Sequence, residues 1–284
     1  MKHNIEISIL ENKKYNLKKR KKEYIQGSVL LLPAILILLF SSLVPLLFAF
    51  GVCFTDWNLA SKPEPSFAGI GNYVNAFKDF NFRNSILITL IFVFVTVFFE
   101  ALIGMILALL YSREGKRFRL ARTLLIIPMV STPVVIGILW RIMLNTDYGV
   151  VNYFLSLVGI SKIHWLGDPF WAFISIMIVD VWQWTPFMII VFVAALLSVP
   201  KDVVNASKID GATAWQILWK IRLPIIKPII FIGILLRFID AFKVVDTVFV
   251  MTYGGPGDAT RVLSMFIYQE ALKYFKVGYG SAIS

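Results

Sequence analysis

Five long apolar segments, separated by polar stretches, dominate the chain. They cover residues 27–55, 84–112, 121–144, 170–199 and 224–250. A helix of about 20 predominantly apolar residues is long enough to cross the hydrocarbon core of a bilayer. We therefore predict an all-α fold, a polytopic helical membrane protein with five membrane-spanning helices.

Composition supports this class of protein. Hydrophobic residues make up 58% of the 284 residues and charged residues 16%, whereas a soluble domain of this length carries more charge and fewer long apolar runs. The net charge of +11 could indicate nucleic acid. The basic residues cluster beside the apolar segments, however, so we predict the lipid bilayer as their partner and no nucleic acid. Cys53 is the single cysteine, and His3 and His164 lie far apart in sequence, so we predict no metal site.

The distribution of basic residues predicts the orientation of the spans. Residues 1–26, 112–122 and 200–227 together carry eighteen Lys and Arg, and the connecting segments on the opposite side carry seven. The positive-inside rule places the richer set in the cytoplasm. We therefore expect a basic cytoplasmic tail over 1–26 and a transmembrane domain over 27–284 in the cell membrane.

An odd number of spans would place the C-terminus outside the cell. The last residues, 278–284, resemble the first residues of another helix. We therefore expect that a sixth span belongs to the fold and is missing from this sequence.

The segment 200–223 is polar but also rich in large apolar residues, so it does not resemble a disordered linker. Asp202 could cap a helix over 203–209, and Gly211 could follow it with a positive φ angle. A second short helix over 212–221 would end before the next proline. This pattern leaves two interpretations open: an amphipathic helix on the bilayer surface, or a compact element that docks on another protein.

Residues 205–224, with the sequence NASKIDGATAWQILWKIRLP, resemble the EAA loop of ABC-importer membrane subunits. That motif is Glu-Ala-Ala, three residues, Gly, nine residues and then Ile-x-Leu-Pro. The corresponding positions here are Asn205, Ala206, Ser207, Gly211, Ile221, Leu223 and Pro224. Asp210, directly before Gly211, is included with them as a candidate coupling residue. The resemblance implies that they couple the membrane spans to an ATPase. Asn205 and Ser207 depart from the motif, and Asn205 can donate a hydrogen bond but cannot form an ion pair.

The resemblance extends from about residue 25 to the end of the sequence. Further stretches similar to the maltose- and glycerol-3-phosphate-type sugar permeases are FAGIGNYVNAF (67–77), ARTLLIIPMVSTPVVIGILWRIMLN (121–145), DYGVVN (147–152), VDVWQWTPFMIIV (179–191) and MTYGGPGDATRVLSMFIYQEA (251–271). The implied fold is that of a type I ABC-importer permease. The implied partners are a second homologous permease, two ATPase subunits, an extracytoplasmic solute-binding protein and a sugar or oligosaccharide substrate.

ATP hydrolysis is expected on a separate chain. The sequence has no G-x-x-x-x-G-K-[ST] phosphate-binding loop, and the glycine-rich YGGPG at 253–257 lacks the Lys-Ser/Thr pair and is expected to form a turn. We therefore predict that this chain is not an enzyme and binds no cofactor. By resemblance, ATP and Mg bind to the partner ATPase subunits.

Polar residues inside two spans are the candidates for a substrate path, because ionisable groups in a membrane are costly. In the fourth segment, Asp180, Gln183, Trp184 and Phe187 share one helix face. Carboxylates and amides suit the hydroxyl groups of a sugar, and aromatic rings suit its apolar C–H faces. Pro186 could kink the helix beside this face.

The fifth segment carries Asp240, Lys243 and Asp246 at three-residue steps. They could contact substrate, or Lys243 could pair with the two carboxylates and hold helices together. The maltose-type resemblance implies that these faces line the substrate path. Met129 and Thr132 are further candidates on the same analogy.

Two alternatives use other chemistry. A stand-alone secondary transporter or channel could use the intramembrane Asp and Lys residues for proton coupling, but it would not explain the motif of 205–224. A membrane enzyme would need a nucleophile–base pair or a metal cluster, and none is visible. We expect Glu100, in the second segment, to pair with a neighbouring helix.

Overall fold

The computed structural model describes residues 30–111 and 125–284, and within them the chain is helical with two isolated β-bridges. The predicted basic tail and the loop 112–122 lie outside the described residues. The helices are α1 (Leu30–Val52), α2 (Gly71–Lys78), α3 (Phe80–Tyr111), α4 (Ile127–Val130), α5 (Pro133–Met143), α6 (Val150–Leu157), α7 (Pro169–Leu197), α8 (Lys201–Ile209), α9 (Ala214–Ile217), α10 (Leu223–Ala241), α11 (Asp246–Met251), α12 (Leu263–Tyr268) and α13 (Val277–Ile283).

Among the described residues, three helices are long and apolar enough to cross a membrane: α1, α3 and α7, with 23, 32 and 29 residues. They correspond to the first, second and fourth predicted spans. The start of α7 has a local cause, because the Asp168 carboxylate accepts hydrogen bonds from the backbone N–H groups of Phe170 and Trp171, at 3.0 and 3.1 Å. Pro169 at the first helical position strengthens this start, since that position needs no N–H donor.

The third predicted span, 121–144, is wrong as a continuous helix. In its described part α4 ends at Val130, the backbone of Ser131 and Thr132 is extended, and α5 begins at Pro133. Proline lacks an N–H donor and disfavours the helical conformation of the residue before it. The apolar pattern continues through Pro133, but the first helix ends before it and a new helix begins there.

The fifth predicted span, 224–250, is also interrupted. α10 ends at Ala241, and α11 begins only at Asp246. This interruption lets α11 pack against α5, where a Cβ atom added to Gly137 would lie 3.2 Å from the Val250 side chain. Non-helical backbone is tolerated at membrane depth where it is buried in protein or lines a cavity.

The core lies between α3 and α7, which pack along most of their length. A Cβ atom added to Gly104 of α3 would come within 2.6 Å of the Met188 Cβ of α7, so glycine permits this close approach. Phe92 and Phe192 are fully buried in the same interface. In contrast, α1 buries none of its apolar length against the rest of the described chain.

The segment 200–223 forms two short helices with a glycine between them. Asp202 lies in the first turn of α8 and does not cap it, because the capping position is occupied by Pro200. Gly211 has a φ angle of +80°, as predicted. Thr213 then starts α9 through a reciprocal capping box with Gln216.

The second helix of this segment does not end before Pro224. A π-helical turn over Leu218–Arg222 connects α9 directly to α10, and the Leu223 N–H donates to the Leu218 carbonyl. Proline normally clashes with the carbonyl four residues earlier. Here that carbonyl belongs to Lys220, within the widened turn, so the helix continues through Pro224.

Candidate functional site

A buried arginine on α10 connects three helices. The Arg237 side chain is 2% exposed, and Glu100 on α3 is fully buried. The Arg237 Nε donates to Glu100 Oε2 at 2.8 Å, and its Nη2 donates to Glu100 Oε1 at 3.0 Å. This two-bond arrangement matches the planar guanidinium to the carboxylate. The prediction that Glu100 pairs with a neighbouring helix is confirmed.

Two further carboxylates bind the same guanidinium. Asp180 on α7 accepts from Nη2 and is buried. Asp240, one turn along α10, accepts from Nη1 at 3.1 Å, and its side chain is 49% exposed. We call Glu100, Asp180, Arg237 and Asp240 the Arg237 cluster. Its guanidinium connects the two buried carboxylates of Glu100 and Asp180 to the partly exposed carboxylate of Asp240.

A small cavity of about 90 Å³ lies beside the Arg237 cluster. Its walls are formed by Pro133, Asp180, Trp184, Arg237, Asp240, Lys243, Val244, Val245, Asp246 and Thr247. The Arg237 guanidinium lies 5.0 Å from the centre of the Trp184 ring, in a cation–π contact. The cavity is smaller than the roughly 300–1,000 Å³ of typical small-molecule pockets. It therefore represents at most part of a substrate path.

The cavity brings together Asp180, Trp184, Asp240, Lys243 and Asp246, five of the residues selected from the sequence. The suggestion that Lys243 pairs with the two flanking carboxylates is wrong for this structure. The ion pair of Asp240 is with Arg237, and neither Lys243 nor Asp246 takes part in any ion pair found in residues 30–111 and 125–284. Both side chains are exposed instead.

The other four candidates lie elsewhere. Gln183 is buried, and its Nε2 donates to the Ser131 carbonyl at 3.4 Å, at the break between α4 and α5. Phe187 packs against the apolar core. Thr132 is exposed at the break and Met129 is partly buried. The cavity beside the Arg237 cluster is lined by none of these four.

Arg237 is the candidate residue that the sequence argument missed. It appears in the fifth apolar segment, and an arginine inside such a segment is itself a signal of function. Its three partners come from positions 3, 57 and 137 residues away. Two of these separations exceed any local spacing rule, so the pairing could not be read from one helix.

The segment 200–223 presents an apolar surface away from the core. Ile209, Trp215 and Trp219 are 87%, 68% and 54% exposed, and the two indole rings contact each other with centroids 5.5 Å apart. Asn205 and Ala206, on α8, are exposed as well. Large exposed apolar patches usually mark a surface that contacts protein or membrane.

The remaining motif positions serve the local structure. The Ser207 hydroxyl donates to the Val203 carbonyl at 2.6 Å, and Asp210 closes α8. The Gly211 N–H donates to the Lys208 carbonyl, and the Ala212 N–H donates to the Ser207 carbonyl. Such bonds satisfy the free carbonyls at a helix end when a residue of positive φ follows.

The last motif positions lie where α10 begins. Ile221 and Leu223 are partly buried against the core, while Pro224 is exposed. They therefore connect the exposed segment to the packed bundle.

Comparison with known proteins agrees with this architecture. Residues 100–279 match the family described as "Binding-protein-dependent transport system inner membrane component". The trehalose/maltose transport system permease protein MalF of Thermococcus litoralis is 34% identical over 261 residues, covering 91% of this chain and 87% of that protein. The trehalose transport system permease protein SugA of Mycobacterium tuberculosis is 33% identical over 259 residues, covering 90% of this chain and 81% of that protein.

The fold is shared with a solved structure. A chain in the crystal structure of a bacterial alginate ABC transporter, in complex with alginate pentasaccharide-bound periplasmic protein, superposes with a TM-score of 0.77. The two chains are 24% identical, and the match covers 94% of this chain and 89% of that one. The family match and the relatives together identify this multi-pass membrane protein as a member of the inner membrane components of binding-protein-dependent transport systems.

Proposed function

We propose that this chain is one of two membrane subunits of an ATP-driven importer for a sugar or a small sugar-like solute. It is a transporter subunit and not an enzyme. The observation that carries the proposal is the continuity between the exposed segment 200–223 and α10, which holds Arg237 beside an intramembrane cavity. The relatives named for trehalose and maltose transport support a carbohydrate substrate.

The chemistry of the cavity wall suits a polyhydroxylated solute. Asp240, Lys243 and Asp246 are exposed and carry acceptors and donors for hydroxyl groups. The Trp184 ring offers an apolar face for sugar C–H groups. Because the cavity on this chain is small, a second, homologous permease would complete the path.

The segment 200–223 is proposed as the coupling segment, the surface that docks on an ATPase. Its exposed Ile209, Trp215 and Trp219 would fill a hydrophobic cleft, and Asn205 would donate a hydrogen bond at the rim. Two ATPase subunits would carry ATP and Mg in the cytoplasm, where the tail 1–26 would also lie. A solute-binding protein would deliver substrate on the opposite side.

A stand-alone secondary transporter is not favoured. The family to which the chain belongs works with a binding protein, and the exposed apolar surface of the coupling segment suits docking on a partner protein. Intramembrane acids and bases occur in both kinds of transporter, so the Arg237 cluster does not discriminate between them.

Reconstitution in vesicles tests the proposal. The chain would be co-purified with its partner permease, ATPase and binding protein, and uptake of radiolabelled maltose and trehalose would be measured with and without ATP. We expect uptake that requires both ATP and the binding protein. Uptake by this chain in vesicles without an ATPase would contradict the proposal and favour the stand-alone transporter.

A matched control separates docking from general damage. Trp219→Ala removes an exposed side chain from the coupling segment, whereas Tyr148→Ala removes a side chain of 73% exposure from the opposite loop. We expect the first variant to lose ATPase subunits during purification and the second to retain them. Equal recovery of the ATPase with both variants would count against the docking surface.

A further inference from the structure

One uninterrupted helical segment runs from the coupling segment to the Arg237 cluster. It begins after Thr213, passes through the π turn and ends at Ala241, with helical backbone throughout although Pro224 and Pro228 lack N–H donors. At about 1.5 Å per residue, Ala214 lies roughly 35 Å from Arg237 along this path. A displacement of the coupling segment can therefore reach Arg237 through continuous backbone.

The contacts of α10 with its neighbours differ along its length. Near the middle, a Cβ atom added to Gly233 would lie 2.8 Å from Val191, so α10 and α7 approach closely there through apolar surface. The rings of Phe238 and Phe94 meet edge to face at 5.3 Å. The hydrophobic stabilisation of these contacts is not directional.

The Arg237 cluster is directional by contrast. Arg237 uses its planar guanidinium to bind Glu100 on α3 and Asp180 on α7, and both acids are buried. Removing such a bond would leave an unpaired charge inside the bundle, which is costly. The cluster therefore favours discrete arrangements over gradual deformation.

We infer that Arg237 is a positioning residue that transmits movement of the coupling segment to the wall of the cavity. This inference rests on the proposed function and adds the route of coupling. A shift of Arg237 would move Asp180 and Asp240, to which it donates, and the Trp184 ring, which it contacts at 5.0 Å. All three residues line the cavity.

The variant Arg237→Lys separates charge from geometry. Lysine keeps the positive charge but lacks the planar fork, so it cannot bind Glu100 through two parallel bonds while also reaching Asp180 and Asp240. The matched control is Arg141→Lys. In the parent, the exposed Arg141 guanidinium donates to a single backbone carbonyl, that of Val250, at 3.0 Å. A lysine ammonium can replace that one bond.

The reporter is the variant Val244→Cys, since Val244 lines the cavity. Cys53 is the only native cysteine of this chain and is buried, so a Cys53→Ser background leaves this chain with one thiol, whose alkylation is measured by mass spectrometry of this chain. The assembled importer would be treated with N-ethylmaleimide in the presence and absence of ATP plus vanadate, which traps the ATPase after hydrolysis. The alkylation rate then reports how accessible position 244 is in the cavity, and the measurement requires no identified solute.

We expect ATP plus vanadate to change the alkylation rate by roughly threefold or more in the parent and in Arg141→Lys, a size typical of coupling energies. In Arg237→Lys we expect this response to fall to near zero while ATP hydrolysis persists. An undiminished response in Arg237→Lys would overturn the inference, as would a parent cavity that does not respond to nucleotide.

A second variant covers failure of assembly. If Arg237→Lys does not assemble, Glu100→Gln removes one charge at nearly constant volume, and it should also reduce the response at position 244. A parental response in Glu100→Gln would then overturn the inference. A parent complex that neither hydrolyses ATP nor binds an ATPase would instead contradict the proposed function, so the two failures are distinguishable.

Discussion

Arg237 and Glu100 form a two-bond ion pair inside the membrane-spanning bundle, although 137 residues separate them in the chain. The pair connects α10 to α3, and Asp180 extends the connection to α7. A buried guanidinium with more than one carboxylate around it is sensitive to the loss of any partner, because each charge depends on the others. Four predictions address this cluster, the cavity beside it and the coupling segment.

The first prediction concerns Asp180→Asn. The substituted amide keeps the shape of the side chain but presents a neutral group to Arg237, so the position of Arg237 beside the cavity should change. We expect solute uptake to fall by about tenfold, equivalent to ~1.4 kcal/mol, while the subunits still co-purify. The control variant Asp147→Asn changes an exposed loop residue and should leave uptake unchanged. Parental uptake in Asp180→Asn would remove this residue from the proposed path.

Lys243→Ala provides the second prediction. Lys243 is exposed at the cavity and takes part in no ion pair of the described residues. Its removal should therefore change the free energy of unfolding by less than about 0.5 kcal/mol. We expect reduced uptake with normal assembly, measured together on the same preparation. Loss of assembly would mean that Lys243 holds helices together.

The third prediction concerns Gly211→Asp. Gly211 has a φ angle of +80°, and a side chain there costs about 1–2 kcal/mol of local strain. No atom lies within 4 Å of an added Cβ, so the chain itself should still insert in the membrane. We expect weaker binding of the ATPase, or ATP hydrolysis without uptake.

Gly159→Asp is a close control for that variant. Gly159 also has a φ angle of +80° and open space around an added Cβ, but it lies in the loop after α6, outside the coupling segment. It should impose the same backbone strain without changing ATPase binding. If both variants behave alike, strain alone explains the effect and the coupling segment has no special role.

The fourth prediction concerns Asn205→Glu. Asn205 is exposed on α8, so a carboxylate there has no desolvation cost in the free chain. We expect transport to persist and binding of the ATPase to become more sensitive to salt, since an exposed ion pair weakens as ionic strength rises. Asn205→Gln, which adds length without charge, should keep the salt dependence of the parent. Loss of transport in Asn205→Glu would show that this interface is specific for an amide.

The sequence by itself determined the class of protein and much of its local structure. Uninterrupted apolar length predicted α1, α3 and α7, because a helix in a membrane must satisfy its backbone hydrogen bonds internally over about 30 Å. Gly211 predicted a positive φ angle because only glycine adopts it without strain. The spacing of 205–224 predicted the family, which the comparisons confirm. These features depend on residues that are close together in the chain.

Tertiary structure alone decided where the fifth apolar segment breaks and which charges meet. α10 ends at Ala241 because packing and a cavity support the non-helical backbone that follows, and hydrophobic periodicity does not report such support. The partners of Arg237 lie on α3 and α7, so their pairing depends on how three helices pack. Lys243, which the spacing along one helix paired with Asp240 and Asp246, is exposed, and Asp240 is bound by Arg237 one turn earlier on α10. The buried pairs of Arg237 with Glu100 and Asp180 form across helices, and only the folded chain sets those distances.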